Sequence, residues 1–383
     1  MLERRFCSTK GAEFSSKRFL SLQRLSVFAA TLPVGYLLIN LVPWYSVIIT
    51  GSSTMGNGVD QDIDTFKTVA LQVVTATVGA MLIALVLTVL INWLTRKSAS
   101  CSTGFIVAAA LNGLIWFGDG ISGNHLTFNS PLTMNALVAG RFYGVSNTAF
   151  AFGAVGAMIA LLAWADWLKS RYSLRASLLA VSGVGLLLVI VDAAPFLGAD
   201  FGGALALIPT LGVALVKLSG RSLRPRILAL LGLISAGLLS GVAILEWLLR
   251  RENSTHLGRF GGQLLDGTFL ATIGKKLKAL VGPFIDANGQ VGLMIVKIIV
   301  ALVVVSLVVV VWLRLYHATR RQGVPGVYQL QLDTLTVLLL LEVALNDSGA
   351  SMAVYSLFLL VPLACLMSLE LPAKPDTETA VAG

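Results

Sequence analysis

Long apolar runs, separated by short polar stretches, make up most of this chain of 383 residues. About 20 apolar residues are needed to cross the hydrocarbon core of a bilayer as an α-helix. Runs of roughly that length predict an all-α fold, a polytopic transmembrane helix bundle of about ten spans. We place the spans near residues 26–49, 69–93, 103–117, 145–168, 176–191, 201–217, 227–249, 291–313, 330–345 and 352–369.

The sixth run, 201–217, is short and contains Gly202, Gly203 and Pro209. Short runs broken by glycine or proline are typical of re-entrant half-helices as well as of full spans. Both interpretations remain open for this segment.

The polar segment 250–290 is long enough to contain a helix of its own. An apolar set recurs at helical spacing there, while Lys275 and Lys278 fall on the other side. Its members are Leu265, Phe269, Ile273, Leu277 and Leu280. This pattern predicts an amphipathic helix, either lying in the outer headgroup layer or capping the bundle.

Composition supports a membrane protein. The chain is 56% hydrophobic and 12% charged, whereas about a quarter of the residues of a soluble domain are charged. The net charge of +9 comes from short basic clusters between apolar runs, a pattern of membrane topology rather than of nucleic-acid binding. We therefore predict a multi-pass protein of the cell membrane, with membrane lipids and no nucleic acid as partners.

Lysine and arginine cluster on alternate loops, which predicts that these loops and both termini are cytoplasmic. Residues 1–25 are then a basic cytoplasmic leader, 26–370 the transmembrane bundle, and 371–383 a disordered cytoplasmic tail. The segment 250–290 is basic but is placed outside, because long loops follow the charge rule less strictly.

Polar residues that lipid would disfavour fall in four segments, 119–147, 192–203, 254–260 and 346–349. All four lie on the predicted extracytoplasmic side, so we expect a functional site there. The candidate ligand-binding residues are Arg141, Tyr143, Asn147, Asp192, Asp200, His256, Arg259, Asn346 and Asp347.

These side chains allow three kinds of chemistry. Arg141 and Arg259 would hold a phosphate or carboxylate, because a guanidinium presents a planar fork of donors that matches those oxygens. The aspartates, with His256, would instead hold a divalent cation or act as a general base. In the third alternative the aspartates pair with the arginines and only fasten helix ends together.

The sequence contains no P-loop, HExxH or GxSxG motif, so it leaves open whether the protein is an enzyme. We expect no cofactor, with a divalent cation as the minor alternative. The three cysteines have no metal-ligand spacing.

Several motifs resemble those of one protein family. They are LVPW at 41–44, NSPL and AGRFYGVSN within 129–147, GADFGG at 198–203, THLGRF at 255–260 and NDSG at 346–349. As a set they resemble an uncharacterised Gram-positive, mainly actinobacterial, family of polytopic membrane proteins. Members of that family usually carry an extracytoplasmic domain similar to alkaline phosphatases or sulfatases before the membrane region. The present chain departs from that pattern and begins with a basic leader, so it is either a standalone membrane half or the membrane half of a split or truncated gene. A separate extracytoplasmic phosphatase-like protein is then a candidate partner.

Three functions fit these patterns. The first is a component of cell-envelope biogenesis whose outward-facing site binds the anionic headgroup of a lipid or a lipid-linked glycan. The second is a secondary transporter or flippase, for which polar residues within the spans are the evidence: Asn112, Lys297, Asp333 and Glu342. The third is a membrane scaffold without a ligand.

Overall fold

The protein is a bundle of α-helices, as the hydrophobic pattern predicts. The computed structural model describes residues 13–42, 59–98, 100, 102–128, 130–132, 144–194, 197–251, 254, 256–272, 274, 291–320, 326–346 and 350–370. Within these ranges it has eleven α-helices, one short 3-10 helix at Ile39–Leu41 and no strand. The helices are α1 Glu13–Leu38, α2 Val59–Thr95, α3 Thr103–Ser122, α4 Asn147–Arg171, α5 Leu174–Ala193, α6 Phe201–Leu218, α7 Pro225–Arg250, α8 His256–Leu265, α9 Val291–Thr319, α10 Gly326–Leu345 and α11 Ala350–Glu370.

Nine of the described helices are long and apolar enough to cross a membrane. The predicted eighth run lies within α9, a further helix of 29 residues. Several helices expose leucine and valine over their length, with Val86 and Val89 of α2 more than 60% exposed. Such surfaces are favourable in hydrocarbon and costly in water, so the chain is an integral, multi-pass membrane protein.

Helix α4 is the centre of the bundle and the most buried of the nine candidate spans. It packs against α3, α5, α6, α10 and α11. Its contact with α3 depends on small residues. A Cβ at Gly156 would lie 2.5 Å from the carbonyl oxygen of Ala109, and a Cβ at Gly113 would lie 2.8 Å from the Cβ of Ala157. Close approach of backbones through small residues is the usual packing mode of membrane helices.

The sixth predicted run forms the uninterrupted helix α6, 18 residues long with Pro209 inside it. It is one of the nine candidate spans. The structure thus has a full helix where the sequence also allowed a re-entrant half-helix. A proline is tolerated in such a helix because neighbouring helices compensate for the missing backbone hydrogen bond.

The segment after α7 folds back onto it as α8. A Cβ at Gly261 would lie 2.2 Å from the carbonyl oxygen of Ala243, and a Cβ at Gly262 would lie 2.8 Å from the ring of Trp247. Leu265, expected to begin an amphipathic helix, is the last residue of α8. A turn with Gly267 at φ +73° follows, and residues 269–272 are helical again. Leu277 and Leu280 lie outside the described residues, so that helix stays a prediction.

Candidate functional site

We define the polar end as the end of the bundle where α4 and α6 begin and where α5 and α10 end. The loop from α5 to α6 folds back on itself there. The backbone N–H of Gly198 donates to the carbonyl of Val191 at 2.8 Å, and that of Asp200 donates to the carbonyl of Asp192 at 2.9 Å. These bonds hold Asp192 and Asp200 beside each other at the junction, and both are buried, at 0% and 2% exposure.

The chain entering α4 is bonded to this loop. The backbone N–H of Val145 donates to the carbonyl of Gly198 at 2.7 Å. Gly144 has φ +84°, and a Cβ there would lie 2.3 Å from the same carbonyl oxygen, so only glycine fits. Ser146 caps α4 by accepting from the N–H of Ala149, which places Asn147, the first residue of α4, at the junction.

The last residues of α10 lie against the start of α6. A Cβ at Gly202 would lie 3.3 Å from the carbonyl oxygen of Leu345 and 3.7 Å from Cα of Asn346. Asn346 is buried there. The fourth polar segment therefore lies next to the second.

Helix α8 brings the third polar segment, 254–260, next to the first turn of α6. The ring of Phe260 lies 5.2 Å from that of Phe201, the first residue of α6. Arg259, the neighbour of Phe260, is exposed. Parts of all four polar segments, far apart in sequence, thus meet around the first turn of α6.

Of the nine candidate residues, the structure brings Asn147, Asp192, Asp200 and Asn346 together, with α8 carrying His256 and Arg259 alongside. Arg141, Tyr143, Asp347 and the side chain of His256 lie outside the described residues. The role of all nine in binding a ligand stays a prediction.

The carboxylate of Asp192 lies over the first turn of α6. A Cβ at Gly203 would be only 2.5 Å from Asp192 Oδ2, so the glycine makes this approach feasible. The N-terminus of a helix carries a partial positive charge, which favours a nearby anion. Asp200 is the N-cap residue of α6, but its side chain makes no capping hydrogen bond.

Two buried acids near the polar end were not among the candidate ligand-binding residues. Glu246 of α7 is buried beside α8, because a Cβ at Gly258 would lie 3.2 Å from its Cδ. Glu342 of α10 is 1% exposed and accepts a hydrogen bond from the hydroxyl of Ser356 in α11. Its carbonyl accepts from the N–H of Asn346, so Glu342 lies one helical turn below the site. Each is a single acid within an apolar run, and an acid in such a position indicates a functional residue. The sequence alone could therefore have identified both.

Asp119, at the start of the first segment, has a structural role within its own loop. It accepts from the N–H groups of Leu126 and Thr127 at 2.8 and 2.7 Å and from the hydroxyl of Thr127 at 2.5 Å. Asn40 fastens the same loop by donating to the carbonyls of Leu126 and Phe128.

Most of the described polar residues considered for a transport path hold helices together. Asn112 of α3 donates to the carbonyl of Ala30 in α1 at 2.7 Å, and Asp333 of α10 pairs with Lys217 of α6. The side chain of Lys297 lies outside the described residues.

In the part of the chain that the structure describes, no three His, Cys, Asp or Glu side chains are grouped closely enough to hold a metal ion. The cation alternative also involves Asp347 and His256, whose side chains are outside that part.

Comparison with known proteins gave no match: no protein-family profile, curated protein or solved structure is similar to this chain.

Proposed function

We propose that this integral membrane protein binds the anionic headgroup of a lipid or lipid-linked glycan at the polar end, as a component of cell-envelope biogenesis in the cell membrane. The observation that supports this is the meeting of parts of four polar segments around the first turn of α6. A chain that only spans the bilayer has no need to gather such residues at one end.

The charges near the junction assign different tasks to the candidate residues. Asp192 and Asp200 are buried, so they position the turn rather than contact a headgroup. Arg259 is exposed on α8 and supplies a guanidinium to the ligand, with Arg141 as its expected counterpart. Both α4 and α6 begin at this end, and their partial positive charges add to the attraction for an anion. A phosphatase-like protein would receive the bound molecule as substrate.

The test is native mass spectrometry of protein purified in mild detergent. We compare the wild type with a double variant, Arg141→Gln and Arg259→Gln, and with Arg250→Gln, which removes an exposed cation from the last turn of α7. We expect an anionic lipid or lipid-linked glycan to copurify with the wild type and Arg250→Gln but not with the double variant.

Other outcomes contradict the proposal. Equal retention by all three proteins would mean that the arginines do not hold the lipid. The absence of any anionic lipid from the wild type would reject headgroup binding and favour a scaffold. Loss of folded protein in the double variant, seen as a lower melting temperature, would favour arginines that only fasten helix ends.

A secondary transporter or flippase is the second candidate, favoured by Glu342. Its Oε1 accepts from Ser356, and among the described residues no donor reaches its buried Oε2. A buried acid inside a span is typical of proton- or ion-coupled pathways. If transport is the function, Glu342→Ala impairs it as strongly as Arg259→Ala does, in the same vesicle uptake assay. Full activity of folded Glu342→Ala would exclude this route.

A further inference from the structure

A polar cavity lies at the other end of the bundle. We define the basic end as the end where α4 and α6 finish and α10 begins. A cavity of about 360 Å³ opens there between these three helices. Its lining includes Asp166, Lys169, Lys217, Arg221, Ser222 and Gln329. The proposed headgroup site does not include any of these residues, so the two sites stand or fall separately.

Three cations surround this cavity among the residues that the structure describes. Lys217 pairs with Asp333, and their side chains are 19% and 6% exposed, so this pair forms the deeper part. Lys169 is exposed, and its Nζ donates to the carbonyl of Leu218 at 3.2 Å, which holds the ammonium group at the end of α6. A cation is stabilised at that position by the partial negative charge of the helix C-terminus.

Arg221 completes the rim on the turn after α6. Gly220 has φ +73°, and the N–H of Arg221 donates to the carbonyl of Val216 at 3.2 Å. This capping turn fixes the backbone of Arg221 relative to the helix end. The side chain itself is exposed and available to a ligand.

The charges around the cavity leave room for one anion. Among the described side chains at the cavity, Lys169, Lys217 and Arg221 face the carboxylates of Asp166 and Asp333, which leaves one positive charge in excess. A phosphodiester, with its single negative charge, would neutralise it.

Aromatic side chains place the cavity at the level of lipid headgroups. Trp164 and Trp167 of α4 and Tyr172 just after it are exposed. Tryptophan and tyrosine concentrate where the hydrocarbon core meets the headgroups. Asp166 and Lys169 lie on the same turns of α4 as these rings, so the cavity opens at the depth where phosphate groups lie.

We propose that this cavity binds a phosphate group, supplied by the headgroup of an anionic phospholipid. Arg221 and Lys169 contact its oxygens, and the Lys217–Asp333 pair forms the floor. Basic pockets between transmembrane helices are known to bind phosphorylated headgroups, and a cavity of this size accommodates one. A soluble phosphate compound has the same chemistry and is the alternative source that the test distinguishes.

The experiment titrates delipidated full-length protein separately with phosphatidylglycerol, with zwitterionic phosphatidylcholine and with inorganic phosphate, and follows binding by native mass spectrometry. The pocket variant carries Lys169→Gln and Arg221→Gln. The charge-matched control carries Arg175→Gln and Arg226→Gln, which remove two exposed cations from the first turns of α5 and α7 at the same end. We expect the pocket variant to bind phosphatidylglycerol about tenfold more weakly than the wild type, while the control is unchanged.

The outcomes distinguish a phospholipid from a soluble phosphate compound as the source of the bound phosphate, and specific binding from a general effect of charge. Preference of the wild type for phosphatidylglycerol over phosphatidylcholine, lost only in the pocket variant, supports the lipid. Binding of inorganic phosphate without that preference supports a phosphate site but overturns the lipid as its source. Equal weakening in both variants, or no binding of either probe, overturns the proposal. A variant with Arg221→Lys in place of Arg221→Gln should bind phosphatidylglycerol more tightly than the pocket variant. That recovery would show that the glutamine removed a needed cation and did not disturb the fold.

Discussion

Gly203 sets how closely the carboxylate of Asp192 approaches the first turn of α6. A Cβ at this position would lie 2.5 Å from Asp192 Oδ2 and 2.5 Å from two ring atoms of Phe150. Both neighbours are fully buried, so neither moves freely. We expect Gly203→Ala to lower the free energy of unfolding by about 1–3 kcal/mol, as overpacking of a dense core does.

Gly183→Ala is the matched control for this change, because in the described part of the chain nothing lies within 4 Å of a Cβ at Gly183 in α5. Alanine is the better helix former there and should leave stability equal or raise it by up to about 1 kcal/mol. Thermal unfolding in detergent, followed by tryptophan fluorescence, measures both. Equal effects of the two substitutions would mean that Asp192 does not depend on the glycine.

The sequence does not distinguish acids that lie at the candidate site from acids that only fasten a loop. Asp192, Asp200 and Asp119 all look alike in it, as single acids at the ends of apolar runs. The structure gives Asp119 three donors from its own loop and places the other two where distant segments meet. That distinction depends on contacts between chain segments far apart, which hydrophobic periodicity does not encode.

At the scale of elements, α8 depends on a glycine contact with α7. A Cβ at Gly261 would lie 2.2 Å from the carbonyl oxygen of Ala243 and 2.7 Å from the N of Ile244, and backbone cannot yield as a side chain does. We expect Gly261→Val to move α8 away from α7 and to separate Phe260 from Phe201. Hydrogen exchange in detergent should then show faster exchange over residues 256–265, since exchange reports local opening.

Gly274→Val provides the comparison, because no described residue comes within 4 Å of a Cβ at Gly274. It should leave exchange in α8 at the wild-type rate. If Gly261→Val also left it unchanged, α8 would not be held by this contact, and its place beside the polar end would need another cause.

Elements were predictable where the apolar run was long and unbroken. The fourth predicted run, 145–168, corresponds to α4 to within a few residues at each end. The segment after α7 was not predictable in the same way. Apolar residues keep helical spacing across Leu265 and Phe269, yet the chain turns between them at Gly267 with φ +73°. Periodicity records which side chains face the same way and does not register a single residue in a left-handed conformation.

At the scale of the whole molecule, α4, α6 and α10 each connect the polar end to the basic end. A helix of 25 residues such as α4 spans about 37 Å, more than the hydrocarbon core, so the two ends lie on opposite sides of the membrane. Lysine and arginine are retained on the cytoplasmic side during insertion, and the end of α4 and the start of α5 carry Lys169, Arg171 and Arg175. We therefore expect the basic end to face the cytoplasm and the polar end to face outside.

Labelling of single cysteines from either side of the membrane tests this orientation. In a chain with its three native cysteines replaced by serine, Arg175→Cys should react with an impermeant maleimide only after the cells are opened, whereas Arg250→Cys, at the end of α7 on the polar side, should react in intact cells. Both positions are exposed, so a lack of reaction reports the membrane and not burial. Reaction of Arg175→Cys in intact cells would place the basic end outside and the polar end in the cytoplasm. An envelope precursor could then still bind at the polar end, but only before export, and an extracytoplasmic phosphatase-like partner would have no access to it.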